Sequence, residues 1–214
     1  MTENFEDPNR NHWTEKVEAD PEHAENYAAR WQRLAAEGKD LDGEARMIDA
    51  MAERGSRILD AGCGTGRVGG RLAQLGHTVV GVDLDPTLIG HAKADFAATD
   101  ATWLVGNLAE LDLPGEGISD GFDLIVCAGN VMSFLAVGER REALRRMGFH
   151  LRGNGRLVIG FGSGRGYDFQ DFLDDMAHAG LTIEVGLSTW DLRPFNTGSD
   201  FLITISSRAK TPNP

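Results

Sequence analysis

A chain of 214 residues, 41% hydrophobic and 25% charged, is long enough and apolar enough for one layered domain, which excludes a disordered chain. Its formal charge of -12, from 33 acidic and 21 basic residues, runs opposite to what phosphate tracking requires and argues against a nucleic-acid substrate. No apolar run approaches the ~18 residues of a membrane span, and the acidic start (Glu3, Glu6, Asp7) has no signal-peptide character, so a soluble cytoplasmic protein is expected.

Residues 1–23 carry no clear period and are rich in Asp, Glu, Asn and Pro; they read as a flexible arm ahead of a single domain over 24–210. Two helices open that domain. The first, 24–37, puts Ala24, Tyr27, Ala28, Trp31, Leu34 and Ala35 on one face. The second, 44–54, turns Ala45, Ile48, Met51 and Ala52 inward. From residue 55 the core begins, and short apolar runs alternate with helical patterns. Strands are predicted at 57–61, 78–83, 102–106, 122–128 and 156–161, with helices at 67–75, 86–96 and 139–150 between them. Asp85 and Pro86 suit the cap and first turn of the second of these helices. Arg140, Arg141, Arg145 and Arg146 on the third read as a solvated helix face.

Four alternate glycines, Gly160 to Gly166, follow the fifth strand, then an acidic helix over 169–179 stopped by Gly180. The last two strands, 182–187 and 201–206, have no helix between them. They must pair antiparallel, because a parallel pair needs a crossover. The pattern is three-layer α/β: seven strands, mostly parallel, with an antiparallel last strand and helices on both faces. Two cysteines, Cys63 and Cys127, fall at strand ends and are too few for a disulfide framework or a zinc site.

The most informative segment is Ile58-Leu-Asp-Ala-Gly-Cys-Gly-Thr-Gly-Arg67, where a buried strand ends in three alternate glycines and a helix begins. Glycine permits the sharp turn and removes side chains that would block a ligand, and the helix start offers free N–H groups. A dinucleotide fingerprint starting at Gly62 needs its third glycine where this chain has Arg67. Asp60-Ala-Gly-Cys-Gly-Thr-Gly66 instead resembles the first motif of class I, Rossmann-like, S-adenosylmethionine-dependent methyltransferases.

That resemblance implies S-adenosylmethionine as cofactor and distributes roles along the sheet edge. Asp60, Gly62, Cys63, Gly64 and Gly66 would surround the cofactor, with Asp83 on the ribose hydroxyls and Leu84 beside it. A carboxylate at the end of a second strand accepts two charge-assisted hydrogen bonds from a ribose, so Asp83 alone supports a ribose rather than one cofactor. Asn107, where the family often has Asp, and Leu108 would meet the adenine, the amide accepting without charge. Ala128, Gly129 and Asn130 would lie at the methyl end. Arg30 would pair with the methionine carboxylate.

On the acceptor side the candidates are Tyr27 and Trp31 of the leading helix, Arg165 and Tyr167 of the glycine loop, and Trp190 and Arg193 of the last hairpin. A small-molecule acceptor is expected, without nucleic acid, membrane or metal. Methyl transfer from a sulfonium needs orientation more than a base, and no catalytic residue is assigned; His12 and His23 lie in the arm, where closure could deliver a base. A non-catalytic cofactor-binding module, or an NAD-dependent oxidoreductase, would share the first turn.

Overall fold

A computed structural model describes residues 9–209. Its seven strands are β1 (Arg57–Ala61), β2 (Thr78–Asp83), β3 (Thr102–Val105), β4 (Phe122–Cys127), β5 (Leu151–Gly162), β6 (Leu181–Leu187) and β7 (Phe201–Arg208). They form one sheet in the order β3-β2-β1-β4-β5-β7-β6. The first five pair in parallel, and β7 runs antiparallel between β5 and β6. The expected α/β architecture and its antiparallel ending are present.

Central strands bury both faces, as their unbroken apolar runs require. In β1, Ile58 packs on one side with Leu124 and Val126 of β4, while Leu59 packs on the other with Ile125 and Cys127. Helices α3 (Gly43–Met51) and α4 (Arg67–Gln74) cover the first side through Ile48, Val68 and Leu72. Helices α7 (Arg140–Phe149) and α8 (Phe169–His178) cover the second through Leu144, Met147, Phe172 and Met176. Helix α5 (Pro86–Asp95) starts as predicted: the Asp85 carboxylate accepts from Thr87 N at 2.7 Å and Leu88 N at 3.3 Å.

The arm needs correction. Residues 1–8 lie outside the described residues, but His12–Ala19 is a helix, α1, whose N-cap Asn11 accepts from Trp13 N at 3.0 Å. It packs on α2 (His23–Ala36) and on α6 (Val131–Phe134), a single turn after β4, and buries His12. Only that one residue of the eight is fully buried, which is why no period shows in the sequence. Among the described residues no helix is long and apolar enough to cross a membrane.

Candidate active site

The strand order reverses between β1 and β4, and open α/β sheets bind ligands at the carboxyl ends beside such a switch. A cleft of about 630 Å³ opens there. Its floor is Gly62, Gly64, Asp83, Leu84, Gly106, Asn107 and Leu108, its far end Ala128 and Gly129, and its roof Asn11, Trp13 and Tyr27. A second recess of about 330 Å³ adjoins it, walled by Trp31, Asp60, Cys63, Thr65 and Arg67, and shares Tyr27, Gly62, Ala128 and Gly129 with the first.

The glycine turn is shaped for this place. Gly62 has φ +77°, and a Cβ there would fall 2.4 Å from the Val131 side chain, so only glycine fits. At Gly129 a Cβ would meet nothing within 4 Å, and at Gly64 only the Tyr27 ring at 3.6 Å. These two positions therefore expose backbone to the cleft. Gly64 N donates to Asp83 Oδ2 at 2.8 Å and Asp85 N donates to Oδ1 at 3.0 Å, which fixes the carboxylate at the cleft floor. Burial raises the Asp83 pKa against these two bonds.

Asp60 is 2% exposed, and its Oδ2 accepts from Gly69 N at 2.7 Å. Burial lifts its pKa to about 7, with Gly69 N and Arg67 opposing. Burial also pushes the Cys63 thiol up, so that it is a packed, unreactive thiol in the turn.

Several expected contacts take other forms. Asn107 lines the cleft, but its Oδ1 caps the short 3-10 turn by accepting from Ala109 N at 2.9 Å. Its Nδ2 donates to Glu139 Oε1 at 2.9 Å, so the amide is held between its own turn and the start of α7. Asn130 sits at φ +66° and turns its Oδ1 to Gly162 N at 2.8 Å, away from the cleft that Ala128 and Gly129 line. Arg30 is exposed over the Trp31 ring and borders neither recess. The arginine that does is Arg67, which donates to Glu44 at 2.5 and 2.9 Å and to the Leu41 carbonyl, with its guanidinium over Trp31.

Of the acceptor-side candidates, only Tyr27 and Trp31 reach the recesses. Tyr167 is a core residue, 2% exposed, stacked on Phe161 and bonded through its hydroxyl to Asp175 at 2.8 Å. Trp190 lies over Gly160 among the residues facing α3. Arg193 is exposed beside Asp191. Arg165 stays in the glycine loop near Gly162.

The sequence reading named Tyr27 of the roof but missed Asn11 and Trp13. Trp13 Nε1 donates to Asp85 Oδ2 at 2.7 Å, and its ring meets Tyr27 at 5.2 Å and Phe134 at 5.9 Å, both edge-on. His12, beside it, turns Nδ1 to the Ser133 carbonyl at 3.1 Å, so that nitrogen carries the proton. The local signals for this helix were the Asn11 cap and Glu15 in the first turn.

The chain's relatives agree with this geometry. Residues 58–155 match a family described as "Methyltransferase domain". A TehB-like SAM-dependent methyltransferase from Corynebacterium glutamicum is 53% identical, with a TM-score of 0.82 over 88% of this chain and 100% of that one. An uncharacterized methyltransferase of Mycobacterium tuberculosis is 31% identical over 53% of this chain and 54% of its own. Glycine N-methyltransferase of Rattus norvegicus is 28% identical over 69% of this chain and 55% of its own. The chain thus spans about half the length of the curated relatives it matches. With its switch-point cleft, glycine turn and fixed Asp83, the chain belongs to the S-adenosylmethionine-dependent methyltransferases, and S-adenosylmethionine is the cofactor for which the cleft is built.

Proposed function

We propose that this protein transfers the methyl group of S-adenosylmethionine to a small-molecule acceptor. The observation that carries the reading is the Asp83 carboxylate, held by Gly64 N and Asp85 N at the floor of a cleft whose glycines leave the backbone bare. When bound, S-adenosylmethionine supplies a methyl group already activated by its cationic sulfur.

The chain's own residues then bind and orient. Asp83 accepts from the ribose hydroxyls. Leu84, Leu88 and Leu108 flank the place for the adenine, and Leu108 N–H, at the start of the 3-10 turn, has no backbone partner among the described residues and can donate to it. The second recess takes the amino-acid end: Asp60 faces the ammonium, and Arg67, already paired with Glu44, sets the far wall. Ala128 and Gly129 border the methyl end, and Trp13 and Tyr27 exclude water from above. Alignment of acceptor and methyl in such a site is worth about 7–11 kcal/mol of barrier. The acidic balance of the chain supports a small acceptor over a nucleic acid.

Calorimetric titration with S-adenosylmethionine, S-adenosylhomocysteine and NADH on wild type and Asp83→Ala tests the reading. Micromolar binding of the first two (about -8 kcal/mol) is expected. Two charge-assisted hydrogen bonds at about 1.5–3 kcal/mol each put the loss in Asp83→Ala at roughly 100-fold or more. Binding of NADH alone, or of nothing, would sink the proposal; cofactor binding without turnover on any acceptor would reduce it to a binding module.

A further inference from the structure

The two recesses of the site overlap at four residues, Tyr27, Gly62, Ala128 and Gly129. The covalent structure of the cofactor gives that overlap a meaning. Its sulfur joins the nucleoside, whose ribose goes to Asp83 in the first recess, to the amino-acid end, which goes to Asp60 in the second. A molecule that occupies both recesses passes its sulfonium through the segment they share.

Three of the shared residues bring no polar side chain to that place, and the Gly62 N–H is spent on the Val82 carbonyl at 2.8 Å. The two carboxylates stand apart, one in each recess. Tyr27 of α2 is the exception. Its ring lies over the glycine turn, where a Cβ on Gly64 would stand 3.6 Å from Cε1 and 3.8 Å from the hydroxyl oxygen. The phenol feels both Asp83 of the first recess and Arg67 of the second, as a group placed between them must. The ring meets Trp13 at 5.2 Å and Trp31 at 6.0 Å, both edge-on, which fixes where it points. Burial raises its pKa, with Trp31 and Arg67 opposing, so the hydroxyl remains a neutral phenol at ordinary pH.

We infer that the Tyr27 hydroxyl reads the charge on the sulfur, so that the site prefers the cationic cofactor to the neutral thioether left after transfer. This inference rests on the methyltransferase reading for the identity of the cation. A sulfonium polarises the hydrogens on its neighbouring carbons, and a phenol oxygen accepts from them weakly; an uncharged thioether polarises them far less. A neutral oxygen also suits a charge that disappears during the reaction. A carboxylate at the same place would be left buried and unpaired once the methyl group had gone. The competing role is a plain wall: Tyr27 would only cover the turn, and cofactor and product would gain from it alike.

Calorimetric titration of wild type and Tyr27→Phe separates the two roles. The probes are S-adenosylmethionine, S-adenosylhomocysteine and sinefungin, in which an amine-bearing carbon replaces the sulfonium. Tyr27→Phe keeps the ring contacts and deletes one oxygen, and its melting temperature without ligand should match wild type. In the variant, affinity for S-adenosylmethionine and for sinefungin should fall about fivefold, while that for S-adenosylhomocysteine stays within about twofold of wild type. The readout is the ratio of dissociation constants between charged and neutral ligands, which a wall does not move. An unchanged ratio, whether all three ligands weaken alike or none does, would overturn the inference and leave the proposed function standing. A wild type that binds none of the three would overturn the proposed function, and the inference with it.

Discussion

At the end of β1, Asp60 is a carboxyl group with a single hydrogen-bond donor, Gly69 N, and almost no water. Its folded pKa of about 7 lies above the unfolded value of 3.8, so the native state keeps a proton that the unfolded chain has lost. The contribution to stability is therefore complete below pH ~4 and declines as pH rises toward 7. Replacing Asp60 by Asn should flatten that part of the curve relative to wild type, measured as melting temperature across the range. The same carboxyl should give up its proton when an ammonium enters the second recess. Calorimetry in buffers of different ionisation enthalpy should show proton release on S-adenosylmethionine binding near pH 6, absent in Asp60→Asn. A stability curve for the variant parallel to wild type would show that Asp60 is already ionised. At Gly62, an added methyl meets the Val131 side chain at 2.4 Å in a backbone with φ +77°. Gly62→Ala is expected to lose about 1–3 kcal/mol in urea unfolding.

These residues were legible in the sequence because each acts through its own backbone position. The turn Asp60 to Gly66 and the acid closing β2 depend on spacing, and spacing is written in the chain. Asn130 does not line the cleft because its Oδ1 accepts from Gly162, 32 positions on, and Tyr167 does not because its hydroxyl donates to Asp175 in the next helix; Asn107 lines the cleft with its amide also held by Glu139, 32 positions on. Arg67 was overlooked although it adjoins the motif. Its role depends on Glu44 and Trp31, which only the packing of α3 and α2 brings to it.

At the scale of elements, the strands and core helices followed from period and caps, and α1 did not. Its attachment is almost wholly tertiary: Trp13 reaches Asp85 across 72 positions, and His12 reaches Ser133 across 121. Short helices stabilised by docking leave no amphipathic signature long enough to read. Because α1 roofs the cleft, its grip should set how fast the cofactor product leaves. Trp13→Phe keeps the ring contacts and deletes one hydrogen bond, worth about 1 kcal/mol. Stopped-flow displacement should then show S-adenosylhomocysteine leaving about fivefold faster, since about 1 kcal/mol is a factor of roughly 5. An unchanged rate would mean that the roof is not on the exit path.

For the whole molecule, binding at the switch point draws on β1, β2, β3 and β4 together with α1 and α2, so ligand and fold are thermodynamically linked. Saturation with S-adenosylhomocysteine at about 100 times its dissociation constant should add about 2.7 kcal/mol. In a chain of 214 residues that corresponds to a rise of roughly 5–11 °C in melting temperature. Asp83→Ala at the same ligand concentration should show little of it. A rise of equal size in the variant would place the ligand elsewhere.

The insertion of β7 between β5 and β6 also bears on how the chain is made. A ribosome delivers β6 before β7, yet β6 has no place in the sheet until β7 has docked on β5. Until residue 208 has emerged, the Leu157-to-Phe161 edge of β5 stays open, with its N–H and C=O groups aimed at an absent neighbour. At about 5–20 residues per second, the roughly fifty positions after Phe161 leave that edge bare for several seconds of synthesis. This is the interval in which a nascent chain of this design is most exposed to pairing with another copy of itself, and in which a chaperone would be of greatest use to it.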